Sequence, residues 1–143
     1  KIKRRLPPLL VAAGLGLITS LIAIYVDNLN IVLMYVLLFL LGTASGVQAL
    51  SFGVISDITP PGFSSTAMGF NNMAVVLGGA IFQPVVGAIL DAHWQGLSLN
   101  GAHIYQIATY EKALMLVPLC YLGAIIMSSI FIKETYCKPK FKK

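Results

Sequence analysis

Charged residues are scarce in this chain of 143 residues. Ten Lys or Arg and five Asp or Glu make up 10% of it, whereas a soluble domain carries about 25%. So few charges cannot cover a water-exposed surface. The hydrophobic content of 57% also excludes a disordered chain, which stays solvated only when apolar residues are few. The composition therefore indicates a protein that crosses a membrane several times, since each helical span takes about 20 residues.

Patterns for catalysis and metal binding are also missing. The only two cysteines, Cys120 and Cys137, would lie about 25 Å apart in a continuous helix, which is too far for a disulfide. Asp91-x-His93 has no third ligand at a metal-binding spacing, and His103 stands apart in the same polar segment. No Gly-x-Ser-x-Gly motif or phosphate-binding loop occurs. We therefore expect no catalytic residues, no metal, no cofactor and no enzymatic activity.

The charged residues divide the chain into four apolar blocks. Each block is long enough to span a bilayer, and none alternates as a barrel strand does. Helices are the simplest way to pair every backbone group in lipid. The fold class is therefore all-α integral membrane, with four transmembrane helices. We predict these helices at about 6–26, 31–57, 66–90 and 113–133, an outer loop at 91–112 and a tail at 134–143.

Lys and Arg are concentrated at the two ends of the chain. The first five residues hold four of them and the last eleven hold five, whereas the two connections on the opposite side hold only Lys112. The positive-inside rule then predicts a multi-pass protein of the plasma or inner membrane with both termini in the cytoplasm. The basic residues flank a lipid bilayer and frame no folded reading element, which argues against a nucleic-acid partner.

Four amide side chains are concentrated in the second and third spans. Gln48 lies in the second, and Asn71, Asn72 and Gln83 lie in the third. Amides at membrane depth are costly unless they meet a partner or water, so they are expected to face a bundle interior or a cavity. They either join helices by hydrogen bonds or line a substrate path, and both interpretations stay open. The first and fourth spans have fewer polar side chains and are expected to face lipid.

Small residues in the same two spans suggest close helix packing. Gly42 and Gly46 are four residues apart in the second span, and Gly79 and Gly87 lie in the third. Small residues at such spacings let membrane helices approach closely. Pro84, inside the third span, cannot donate a backbone hydrogen bond and is predicted to act as a hinge.

Two long motifs and the charged ends resemble a known family. Arg4-Arg5 precedes the first span and Glu134-Thr135 follows the last. The motifs themselves are Thr59-Pro60-Pro61-Gly62-Phe63-Ser64-Ser65-Thr66-Ala67-Met68-Gly69-Phe70-Asn71-Asn72-Met73 and Gly78-Gly79-Ala80-Ile81-Phe82-Gln83-Pro84-Val85-Val86-Gly87. Over essentially the whole chain, the pattern is similar to helices nine to twelve of a twelve-helix major facilitator superfamily transporter. Ser64 and Ser65 stand where that family usually has Arg-Gly, so the sequence offers no arginine there to pair with an acid near Asp57.

The resemblance implies the C-terminal part of a secondary transporter that is not active alone. Such a protein moves a small polar solute by alternating access, with one half-bundle rocking against the other. The second and third spans would line the central cavity. The implied partners are the solute, a coupling proton or ion, the lipid bilayer and the remaining helices of the same transporter.

A second hypothesis needs no missing helices. The chain would then be a self-contained four-helix membrane scaffold or assembly protein that associates through the Gly42 and Gly46 face.

Overall fold

The computed structural model describes residues 4–99, 101–136 and 141. These residues form six helices and one two-stranded hairpin. Some residues near the two ends of the chain lie outside the described ranges. They include Cys137, Pro139 and six lysines, namely Lys1, Lys3, Lys138, Lys140, Lys142 and Lys143. The elements are α1 (Leu6–Tyr25), α2 (Ile31–Gly46), α3 (Gln48–Ile58), α4 (Ser64–Ala92), β1 (Ser98–Leu99), β2 (Ala102–His103), α5 (Ile107–Leu114) and α6 (Leu116–Phe131).

The described helices form four segments long and apolar enough to cross a membrane. They are α1, α2 with α3, α4, and α5 with α6. The chain is therefore an all-helical membrane protein apart from its short hairpin, as the composition predicts. The predicted bounds for α1 and α4 are close, since α1 ends one residue earlier than predicted and α4 extends two residues further at each end. The helix α4 continues through Pro84, so its role as a hinge stays a prediction.

Two of the predicted spans are interrupted. The second breaks at Val47, where the backbone N–H bonds to Ala44 in a tighter turn. The fourth breaks at Met115, three residues before Pro118. Since a proline has no N–H, Pro118 cannot donate to the carbonyl of Leu114 four residues earlier, and the regular helix ladder is lost there. Both interruptions leave the span long enough to cross the membrane.

The fourth span also starts earlier than predicted. Its first helix begins at Ile107 instead of residue 113 and therefore includes Glu111 and Lys112. The sequence analysis placed the span boundary at these charges, but a helix can extend beyond the hydrocarbon into the polar region. The predicted outer loop is correspondingly shorter. It contains a hairpin in which Ser98 pairs with His103 and Leu99 with Ala102.

One face of α1 forms the centre of the described packing. Its buried residues are Ala12, Gly16, Thr19 and Ser20, and the helix packs against α2 and α6. Thr19 and Ser20 are only 3% and 1% exposed, and their hydroxyl groups donate to carbonyls of their own helix at 2.7 Å and 3.0 Å. The expectation that the first span faces lipid is therefore wrong for this face, whose small side chains meet protein.

At Gly16, α1 is in close contact with α6. The ring of Tyr121 occupies the space where a side chain at this position would lie. Gly14, two residues earlier on the opposite side of the helix, has no described atom within 4 Å of its would-be Cβ. The small size of Gly16 is thus what admits the aromatic ring of α6.

We expect Gly16→Ala to destabilise the protein because its new methyl group overlaps the Tyr121 ring. The cost should be about 1–3 kcal/mol, the usual range for overpacking a tight contact. Thermal unfolding of the purified chain in detergent measures it, with Gly14→Ala as the matched control. Gly14→Ala should be neutral or stabilising, since alanine favours a helix more than glycine does, and equal losses in both variants would contradict the role of the contact.

Candidate functional site

The four predicted amides do not converge on one point. Gln48 starts α3 directly after the break at Val47 and faces a cleft between α4 and α6. Asn71 donates from Nδ2 to Ser51 Oγ at 3.0 Å and so joins α4 to α3. For Asn71 this hydrogen bond fits the interhelical interpretation, and for Gln48 both interpretations stay open.

Asn72 and Gln83 lie on exposed positions of α4. They are eleven residues apart, about three helical turns, and so share one face of the helix. None of the 29 residues of α4 is buried in the described structure. Their role in a substrate path stays a prediction that depends on what covers this helix in the membrane.

The cleft beside Gln48 has a volume of about 720 Å³. Its walls come from Val75, Phe82 and Val86 of α4 and from α6, and Gln48 of α3 also lines it. Only three of its nine side chains carry a heteroatom. The lining residues are Gln48, Val75, Phe82, Val86, Leu116, Val117, Cys120, Tyr121 and Ala124.

A second, smaller cavity of about 150 Å³ lies behind this cleft. Gln48, Tyr121 and Ala124 line both spaces, so these three residues stand between the cleft and the packed region around α1. Tyr121 belongs to the fourth span, which its few polar side chains predict to face lipid. A phenol within an apolar span was the available signal, but its partner helix could not be read from spacing.

The four glycines predicted to pack helices have open space around them. No described atom lies within 4 Å of the would-be Cβ of Gly42, Gly46, Gly79 or Gly87. They are therefore not close-packing positions among the described residues, and contact with a molecule outside the chain stays a prediction. Besides Gly16, the glycine that does accommodate a neighbour is Gly53, where the guanidinium of Arg5 fills the space of the missing side chain.

Arg5 and Asp57 form an ion pair where α1 begins and α3 ends. Nε of the arginine lies 2.7 Å from Oδ2 of the aspartate, and Nη2 donates to Oδ1 at 3.2 Å. The Nε–H is not aligned with an acceptor, so that contact is a charge contact without a hydrogen bond. Thr135 adds a hydroxyl donor to Oδ2 at 2.9 Å. Arg5 is thus the basic partner of Asp57. The loop does not supply one, because Ser64 and Ser65 stand there where the family usually has Arg-Gly.

Glu134 caps the start of α1 from the other end of the chain. Its two carboxylate oxygens accept the backbone N–H groups of Arg5 at 2.8 Å and Leu6 at 2.9 Å. These donors have no partner within the helix, and the helix dipole favours a negative charge at this end. Arg5, Asp57, Glu134 and Thr135 therefore join the first, second and fourth spans at one end of the bundle, which we call the ionic end.

The Arg5 backbone donor is the largest influence on the pKa of Glu134, which is lowered although desolvation opposes the shift. Further backbone donors, including Leu6, act in the same direction. Since the folded pKa lies below the unfolded one, the charged carboxyl stabilises the fold above the ordinary glutamate pKa. This contribution is lost as the pH falls through the lowered value.

The opposite end of the bundle carries an aromatic cluster around the hairpin. The rings of Trp94 and His103 stack with centroids 3.8 Å apart and planes at 13°. The hydroxyl of Tyr105 donates to Asp91, and this hydrogen bond raises the pKa of the tyrosine, with desolvation adding to the shift. These contacts of Trp94 and Tyr105 depend on a hairpin that the sequence pattern does not predict.

Comparison of the chain with protein-family models, with curated proteins and with solved structures found no match in any of the three. The observations that bear on function are therefore the geometry of the helices, the cleft, the ionic end and the aromatic cluster at the opposite end.

We expect Gly53→Ala to displace Arg5 from Asp57, because the added methyl group overlaps the guanidinium. Losing a charge-assisted contact of this kind should cost about 2 kcal/mol of stability. Thermal unfolding in detergent measures it, and Gly46→Ala, in open space on the same span, is the matched control.

The same experiment has an internal check. In the Asp57→Asn background, Gly53→Ala should cost little more, because the contact is already weakened. Fully additive losses would show that Gly53 acts on something other than the ion pair.

Proposed function

We propose that the chain is the C-terminal part of a major facilitator superfamily secondary transporter. It would carry a small polar solute across the plasma or inner membrane by alternating access, together with eight further helices. The motifs from Thr59 to Met73 and from Gly78 to Gly87 suggest this family, and the three comparisons, which found no match, give it no further support.

The observation that carries the proposal is the exposure of α4. This helix is long and apolar enough to span a membrane, yet none of its residues is buried in the described structure. Asn72 and Gln83 are exposed on it, and hydrocarbon would leave both amides without partners. A neighbouring half-bundle, or a water-filled path between the halves, would satisfy them.

Coupling to a proton or ion would depend on groups in the rest of the transporter. Asp57 is the acidic residue of the second span. It lies near the end of α3 and is already paired with Arg5. The ionic end would face the cytoplasm, because Arg5 belongs to it and Arg4 and Lys133 are its neighbours along the chain.

We expect Gln83→Leu, made in the full-length parent, to reduce solute uptake while insertion into the membrane is unchanged. The substitution keeps the size of the side chain but removes its hydrogen-bonding groups. Uptake into membrane vesicles at matched protein levels measures the effect. Gln95→Leu is the matched control, since Gln95 pairs with Gln106 in the hairpin region.

Unchanged uptake in the Gln83→Leu variant would remove this residue from the substrate path. A discrete homodimer of the isolated chain that is insensitive to both Gln48→Leu and Gln83→Leu would favour the scaffold function instead. The open space beside Gly42 and Gly46 supports that alternative, since it leaves the face free for a second copy.

Orientation can be tested by single-cysteine labelling. We expect a cysteine at Trp94 to react with an impermeant thiol reagent added outside intact cells, and one at Phe141 to react only after the membrane is opened. The reason is that Trp94 lies just before the hairpin, at the opposite end of the bundle from the ionic end. Phe141 lies in the tail that follows the ionic end. Labelling of both positions from one side would contradict the topology.

A further inference from the structure

We propose that the cleft between α4 and α6 binds a neutral amphipathic molecule, with its apolar body between the two helices and one hydrogen-bonding group at Gln48. This inference rests on the proposed transport function and narrows its substrate class from any small polar solute to one with a substantial apolar part.

The size and walls of the cleft fit a small molecule. Its volume of about 720 Å³ lies within the range of ligand pockets, roughly 300–1,000 Å³. Phe82 and Val86 on α4 face Leu116 and Val117 on α6 across it, which gives two apolar walls. Such pockets hold the ligand body by apolar contact and orient it with a few polar groups.

The polar groups of the cleft are few and uncharged. No charged residue lines it, so an ionised ligand would lose its hydration without gaining a counter-charge. Gln48 offers both an amide donor and a carbonyl acceptor, and among the described residues its side chain forms no hydrogen bond. Tyr121, whose ring packs on Gly16, also lines the cleft. A neutral head group that can donate or accept hydrogen bonds therefore matches the site.

The Gln48 amide makes the cleft favour an amphipathic ligand over a purely apolar occupant. A lipid acyl chain or an apolar helix seated in the cleft would leave the Gln48 amide without a hydrogen-bond partner, which is unfavourable. An amphipathic ligand pairs it while covering the same apolar walls. Gln48 is thus the residue that gives the cleft a preference among hydrophobic molecules.

Cys120 lies in the wall of the cleft and is exposed, so its thiol reports on occupancy. The only other cysteine of the chain is removed by Cys137→Ser. The rate at which N-ethylmaleimide alkylates Cys120 is measured for the protein reconstituted into phosphatidylcholine nanodiscs. The probes are N-hexylbenzamide, which carries an amide, and hexylbenzene, which does not.

We expect N-hexylbenzamide to slow alkylation and to protect at roughly threefold to tenfold lower concentration than hexylbenzene, the difference that one hydrogen bond supplies. Gln48→Leu should abolish this difference, and Gln95→Leu, the same substitution outside the cleft, should leave it intact. Size-exclusion chromatography checks that each variant is folded. Val86→Trp provides a second, independent variant, because its bulk should fill the cleft and remove protection by both probes.

Equal protection by the two probes, or a difference that persists in Gln48→Leu, would overturn the inference and indicate an apolar groove for lipid or a helix. If neither probe protected Cys120 from alkylation, that result would also overturn the inference. Failure of the transport proposal would look different. Amide-selective protection in a parent protein that carries no solute would support the cleft as a ligand site and overturn transport alone.

Discussion

The packing of α2 and α6 against the small-residue face of α1 is the contact on which the described structure depends. In lipid there is little hydrophobic gain from bringing helices together, so association relies on close contact between surfaces that fit. Gly16 provides such a surface by admitting the ring of Tyr121. Because Thr19 and Ser20 return their hydrogen bonds to their own helix, they add polarity without requiring a partner across the interface.

The ionic end secures the same arrangement by a different kind of force. Arg5 reaches Asp57 across the space left by Gly53, and Glu134 neutralises the exposed N–H groups at the start of α1. Charge contacts with the backbone and between side chains thus fix the ends of three spans, while apolar contacts fix their middles. The third spanning segment, α4, packs against α3 and α5, and none of its residues is buried, so the cleft beside α6 stays open.

The open side of α4 connects the structure to the proposed function. A helix that carries amides and no buried residue is costly as a lipid-facing element, so it is best understood as the boundary of a larger assembly or of a path through it. The cleft behind it, with Gln48 at one side, is the place where this chain by itself offers a ligand both apolar surface and a hydrogen bond. The two sides of α4 would therefore have different partners.

The sequence by itself determined the membrane class, the number of spans and their approximate bounds, because span length and charge are local properties of the chain. It missed the break at Val47, since the position of a break depends on how the carbonyls of the preceding turn are satisfied, whereas Pro118 marks the broken turn at Met115. Only the tertiary structure decided that Arg5 is the partner of Asp57, that Tyr121 lies on Gly16, and that the amides separate onto different surfaces. These contacts join residues distant in sequence, and spacing along a helix specifies a face but not the neighbour that the face meets.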